Sequence, residues 1–146
     1  MFFFRKRPQS LSVYCDGGIG DKNQATGLGV VIRDADNEVI GLVKQGLPPM
    51  TNNEAEYAAL VLGLQTVRRY RPRAVQVYLD SEIVVGQMVG RFSVHSAALK
   101  QWHLQACRLA RQFKMITFNH IPRDANRLAD ALANEALQEQ LTMNNK

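Results

Sequence analysis

Ser12-Val13-Tyr14-Cys15-Asp16-Gly17-Gly18 is the stretch from which the fold can be read. Leu11, Val13 and Cys15 point to one side, and Ser12, Tyr14 and Asp16 to the other. A period of two is that of a β-strand, expected over residues 10–16. A carboxylate ends it, and two glycines follow that let the backbone turn sharply and let a ligand come close. Alone, an Asp-Gly-Gly run reads as a strand closed by an Asx turn. It becomes a site only if other carboxylates reach it, and three more are placed to do so.

On either side the chain reads as an α/β domain. Residues 28–33 and 39–44 are a second and third strand around Asp34-Ala35-Asp36-Asn37, a turn by composition, and should form a hairpin beside the first. Thr51-Asn52-Asn53-Glu54 opens a helix with a capping residue, expected to run to about Arg71 and stop before Pro72. Residues 74–79 are a fourth strand, ended by Asp80 as the first is ended by Asp16. A short helix over 81–89, a longer one capped by Ser96 and reaching about Phe113, a fifth strand over 115–121 and a last helix over 125–141 complete the chain. Three strands in a row, then helices alternating with strands, predict a five-stranded mixed sheet covered by helices, with strands 1–3 antiparallel. Residues 1–9 are expected as a flexible lead-in, 10–141 as one domain and 142–146 as a tail.

The first helix carries two acids, and helical spacing separates them. From Glu56 the positions three, four, seven, eight and eleven along are Ala59, Leu60, Gly63, Leu64 and Val67, so Glu56 lies on the apolar stripe that faces the sheet. Glu54 leads instead toward Gln65 and Arg68, at the rim. An acid on a core-facing stripe is costly unless it is paired or coordinated, which singles out Glu56. Asp130 sits beside the stripe of the last helix, near its start, where the helix dipole favours a carboxylate. Four oxygen donors converging in this way suit Mg²⁺ or Mn²⁺ better than zinc, and two such ions can clamp both oxygens of a phosphodiester displacement.

The net charge of +5 is unevenly spread: residues 57–123 hold ten Lys or Arg against only Asp80 and Glu82. Such an excess suits a polyanion, nucleic acid first. Lys100, Arg111 and Lys114 share one helical face and are candidates to grip it. Trp102, spaced with Leu99, Ala106, Leu109 and Phe113, reads as core, and His95 and His103 as surface. No apolar run approaches the roughly 20 residues a bilayer crossing needs. Met1-Phe2-Phe3-Phe4 is followed at once by Arg5-Lys6-Arg7-Pro8, which is not a secretory core. No membrane partner is expected. Cys15 and Cys107, too few for a framework, read as buried thiols of a reducing, cytoplasmic setting.

The segments Tyr14-Cys15-Asp16-Gly17-Gly18, Thr51-Asn52-Asn53-Glu54-Ala55-Glu56, Leu79-Asp80-Ser81 and Asn126-Arg127-Leu128-Ala129-Asp130-Ala131-Leu132-Ala133, in this order, resemble the type 1 ribonuclease H family over residues 10–137. The resemblance implies a ribonuclease H-like fold and an endonuclease that hydrolyses the RNA strand of RNA–DNA hybrids, leaving 3′-hydroxyl and 5′-phosphate ends. It implies two Mg²⁺ ions, with Mn²⁺ able to substitute, held by Asp16, Glu56, Asp80 and Asp130. It also implies that Asn52 and Asn53 contact the hybrid near its minor groove, and that Gly17 and Gly18 let the RNA backbone approach. A monomer is expected.

Two departures from the family pattern stand out. Ser81 to Ser96 is short and has one Arg, so the chain resembles the branch lacking the basic handle inserted after the third acidic segment, and hybrid grip falls to residues such as Lys100 and Arg111. Many relatives place a histidine before the last acid to help proton transfer or product release. Gapless counting puts His120 there, whereas His120-Ile121-Pro122-Arg123 resembles the handle-less branch, in which Arg123 takes that role. The alternative to an enzyme is a catalytically idle hybrid-binding module of the same fold, which usually requires a lost carboxylate.

Overall fold

The computed structural model describes residues 9–145, so the expected lead-in lies outside the described residues apart from Gln9. The strands are β1 (Ser10–Ile19), β2 (Thr26–Arg33), β3 (Val39–Leu47), β4 (Ala74–Leu79) and β5 (Met115–His120). The helices are α1 (Asn52–Arg68), α2 (Glu82–Met88), α3 (Ala97–Ala110) and α4 (Arg127–Asn144), with a 3-10 turn over Arg123–Asn126 leading into α4. The sheet order is β3-β2-β1-β4-β5; β1, β2 and β3 are antiparallel neighbours, while β4 and β5 run parallel to β1. This is the expected mixed sheet with helices on both faces.

The alternation in β1 divides those faces. Leu11, Val13 and Cys15 are at most 1% exposed and lie with Tyr57, Leu60 and Leu64 of α1 in one core. Full burial of each such apolar side chain contributes about 1.5–3 kcal/mol. α1 lies against β1 and β2, α3 packs on α1, and α4 covers β1, β2 and β3 from the opposite face.

Three helix or strand ends differ from expectation in ways that bear on the site or the tail. β1 does not stop at Asp16: Gly17, Gly18 and Ile19 continue it, paired with Leu28, Gly27 and Thr26 of β2. Gly17 is a glycine for close approach and not for turning, because a Cβ there would sit 2.1 Å from the Ala55 carbonyl oxygen of α1. α1 ends at Arg68, and Arg71 takes a left-handed φ of 52° just before Pro72, where a preceding residue avoids the helical region. α4 continues through Thr142, Met143 and Asn144, which the sequence assigns to the tail. Among the described residues no helix is long and apolar enough to cross a membrane.

Candidate functional site

The sheet has a notch in it. β1 and β4 pair from Ser10 and Ala74 up to Cys15 and Leu79, and there β4 ends while β1 runs on beside β2. Past the notch the Gly17 N–H has no β4 carbonyl to meet, and it donates instead to Glu56 Oε1 at 3.0 Å. Glu56 is 9% exposed, and its second oxygen, Oε2, is buried without a hydrogen-bond partner. Asp16, 6% exposed, points into the same notch, and Asp80 follows β4 directly. Asp16, Glu56 and Asp80 each offer an oxygen, and these oxygens lie within 4.8 Å of one another.

Asp130 arrives from the other face. Gly29 stands opposite Asp16 in the ladder, and a Cβ on it would lie 2.1 Å from the Ala129 carbonyl oxygen, so α4 rests on bare backbone at this point. The first turn of α4, with Asp130, is thereby pressed against β1. Asn126 fixes the same corner: 1% exposed, it donates from Nδ2 to the Cys15 carbonyl at 2.9 Å. Asp16, Glu56, Asp80 and Asp130 share the wall of a cavity of about 360 Å³ with Gly17, Gly18, Ile19, Asn52, Arg123 and Asn134.

Buried side by side, Asp16 and Glu56 resist ionisation. Burial, then the charge of Glu56, pushes Asp16 up to about 10, with Asp80 and Asp130 adding to the shift. Burial raises Glu56 to about 7, against the Gly17 N–H, which favours its charged form. The folded state therefore holds protons that the unfolded chain, with ordinary carboxylates near pH 4, releases. The stability this contributes is full below about pH 4 and is lost as pH rises through 7. In EDTA the melting temperature should fall between pH 5 and pH 8, by several degrees, and Asp16→Asn should flatten that fall. A melting temperature that climbs over this range in EDTA would mean the carboxylates are paired in the folded state.

A hard divalent cation fits what is present: an all-oxygen donor set, close enough to share an ion, including a buried carboxylate oxygen with nothing to accept from. Glu54 is otherwise engaged, since its side chain completes a capping box with Thr51 and accepts from Trp102 Nε1 at 3.4 Å. That division of labour follows the helical stripe. Trp102 is half-buried against the core.

The remaining candidates separate by position. Arg123 reaches Asp130, Nη2 to Oδ1 at 3.8 Å, and lines the cavity, whereas His120, exposed at the end of β5, is not part of its wall. Asn52 lines the cavity and Asn53 does not; both lie in the first turn of α1. Lys100 is exposed in the first turn of α3, but Arg111 caps the far end of that helix, so one helical face carries them to opposite ends of the domain. His103 is not a surface residue: it is half-buried, with Nε2 3.2 Å from the Gln87 carbonyl and 3.5 Å from Cys107 Sγ. Cys107 is correspondingly half-buried, while Cys15 is buried as expected. Sequence reasoning misses Asn126 and Asn134 as site residues. The spacing of Asn134, one turn after Asp130 on α4, is the available signal; Asn126 has none beyond opening the segment that resembles the family.

A family profile described as reverse transcriptase-like matches residues 14–136. The bifunctional protein Rv2228c of Mycobacterium tuberculosis is 37% identical over 126 residues, which make up 86% of this chain and 35% of that protein. Ribonuclease HI of Halobacterium salinarum is 29% identical over 126 residues, 86% of this chain and 63% of that protein. The chain thus spans about a third of the first relative's length and under two thirds of the second's. Among solved structures, the N-terminal RNase H domain of the mycobacterial protein matches with a TM-score of 0.88 at 34% identity, covering 92% of this chain and 98% of that one. LC11-RNase H1, isolated from compost and solved in complex with an RNA/DNA hybrid, matches with a TM-score of 0.85 at 32% identity, covering 90% and 99%.

Proposed function

The chain belongs to the type 1 ribonuclease H family, and from this we propose that it is a divalent-metal-dependent endonuclease acting on the RNA strand of RNA–DNA hybrids. Cleavage leaves a 3′-hydroxyl and a 5′-phosphate. The observation that carries this reading is the notch, where Asp16, Glu56 and Asp80 bring oxygens within 4.8 Å of one another and Glu56 Oε2 lacks a partner. The likeness to a relative solved with an RNA/DNA hybrid supports the substrate class.

Asp16, Glu56, Asp80 and Asp130 hold the ions. Two Mg²⁺ held there, replaceable by Mn²⁺, would supply an activated water and charge stabilisation at the leaving 3′-oxygen. The Gly17 N–H fixes one oxygen of Glu56 and so aims the other at the pocket. Gly18 has open space where a side chain would stand, which admits a sugar–phosphate backbone close to Asp16. Asn52, at the cavity rim, and Asn53 meet the hybrid near its minor groove, where the 2′-hydroxyl distinguishes RNA from DNA. Lys100, exposed at the near end of α3, adds a phosphate contact. Arg123 takes the role of mobile cation beside Asp130, drawing the product phosphate away. The chain acts as a monomer in the cytoplasm.

The test is cleavage of a hybrid labelled on its RNA strand, in Mg²⁺ and in EDTA, beside RNA–RNA and DNA–DNA duplexes of the same sequence. RNA fragments with extendable 3′-hydroxyls should arise from the hybrid in Mg²⁺ alone. Tight binding of the hybrid with no cutting in Mg²⁺ or Mn²⁺ would instead make the chain a hybrid-binding module.

A further inference from the structure

The helices that carry acids and polar groups at one end of the sheet carry cations at the other. α1 and α3 run side by side away from the site: Trp102 of α3 meets Glu54 in the first turn of α1, and Arg68, at the last position of α1, donates to Gln112 beyond the end of α3 at 2.5 Å. Around those far ends Arg68, Arg69, Arg73, Arg108, Arg111 and Lys114 are all exposed. No opposing charge comes from the far ends of these elements: Glu54 and Glu56 lie in the first two turns of α1, and the only acids between residues 57 and 123 are Asp80 and Glu82, both at the notch end. The acidic turn between β2 and β3, where Asp34 accepts from the N–H groups of Asp36 and Glu38, borders these cations on the β3 side, where the Tyr70 hydroxyl donates to the Ile40 carbonyl at 3.1 Å.

Glu56 and Arg68 stand about 18 Å apart along α1, at 1.5 Å per residue. That is about two Debye lengths at physiological salt, so a polyanion lying across the carboxylates is held little by these cations. Most of them are arginines, whose planar fork matches phosphate oxygens in pairs.

We propose that this end of the domain is a second polyanion-binding surface, which holds the phosphate backbone of a nucleic-acid segment other than the hybrid in the notch. Binding through guanidinium and ammonium groups is independent of sequence and sensitive to salt. The choice of nucleic acid over another polyanion rests on the nuclease reading. The enzyme then grips flanking or neighbouring DNA while it acts on the hybrid.

The experiment uses the full chain and a triple variant, Arg69→Glu, Arg73→Glu and Arg108→Glu, with its melting temperature checked against the wild type. A short labelled DNA duplex, which is not a substrate, is titrated by fluorescence anisotropy at several salt concentrations. The variant should bind the duplex at least about tenfold more weakly, with a salt slope shallower by roughly 0.9 for each phosphate it no longer neutralises. Its kcat/KM on a short hybrid should stay within about twofold of the wild type, since these cations act through phosphate attraction away from the notch. Unlabelled duplex should leave wild-type hybrid cleavage unaffected. An unchanged duplex affinity in the variant, or hybrid cleavage that falls in step with it, overturns the proposal; so does binding to anionic vesicles or an acidic peptide in place of DNA. Duplex binding at this surface in a protein that never cuts hybrid would sink the nuclease reading and leave the surface standing.

Discussion

Asp80→Asn should cut the RNA of a hybrid at least about 10³-fold more slowly than the wild type, because on the proposed reading several kcal/mol of transition-state charge stabilisation depend on the ions Asp80 would help to hold. The amide keeps the shape of the carboxylate, loses its charge and replaces one acceptor oxygen with an NH₂ donor. Asp80 is half-exposed and follows the last residue of β4, so the substitution disturbs no packing. It also removes one of the charges that raise Asp16 and Glu56, so the metal-free protein should be no less stable than the wild type. Hybrid affinity in EDTA should be kept or slightly improved, since a negative charge has left a site that faces phosphates. Single-turnover cleavage beside anisotropy and a melting curve separates these effects. Cutting within tenfold of the wild type would remove Asp80 from the ion-holding set.

The second large effect is on the fold itself. Gly29→Ala should lower stability by about 3 kcal/mol or more, the upper range for overpacking, because the new methyl meets backbone and not a movable side chain. Its Cβ would lie 2.1 Å from the Ala129 carbonyl oxygen and 2.8 Å from the Ala133 nitrogen, and it can be relieved only by lifting α4 off β2. The melting temperature should drop on the order of 10 °C. The surviving folded protein should also cut poorly, since lifting α4 carries Asp130 away from Asp16. Alanine tolerated here with both properties intact would mean that α4 does not rest on the strand as the structure has it.

Much of this site is legible in the sequence. Period-two alternation places Asp16, and the helical stripe chooses Glu56 over Glu54, because a buried acid violates a simple pattern and so declares itself. What escapes is what depends on two elements meeting. Gly17 and Gly18 read as a turn because glycine permits turning; only the Ala55 backbone above shows that Gly17 is needed for proximity inside a continuing strand. Arg111 groups with Lys100 because both fall on one face of α3, but a shared face says nothing of distance along the axis. His103 finds partners in Gln87 on α2 and Cys107 on its own helix, and the first of these no local pattern announces. Asn126 bonds to Cys15 from the far end of the chain, a meeting that no local pattern announces.

The notch at β1 also governs when in the life of the chain the pocket comes into being. Its floor belongs to a hairpin of near neighbours, β1 with β2, which closes early and locally. Its walls belong to a parallel strand and a terminal helix that must return across most of the polypeptide, the kind of pairing that raises contact order and comes late. On a ribosome the N-terminal half emerges first, so Asp16 waits in a formed hairpin while the chelate is incomplete. Any intermediate in which α4 has yet to dock lacks Asp130, one of the four carboxylates proposed to hold the ions. Under the proposed four-carboxylate site, strong ion binding is reserved for molecules that have finished folding.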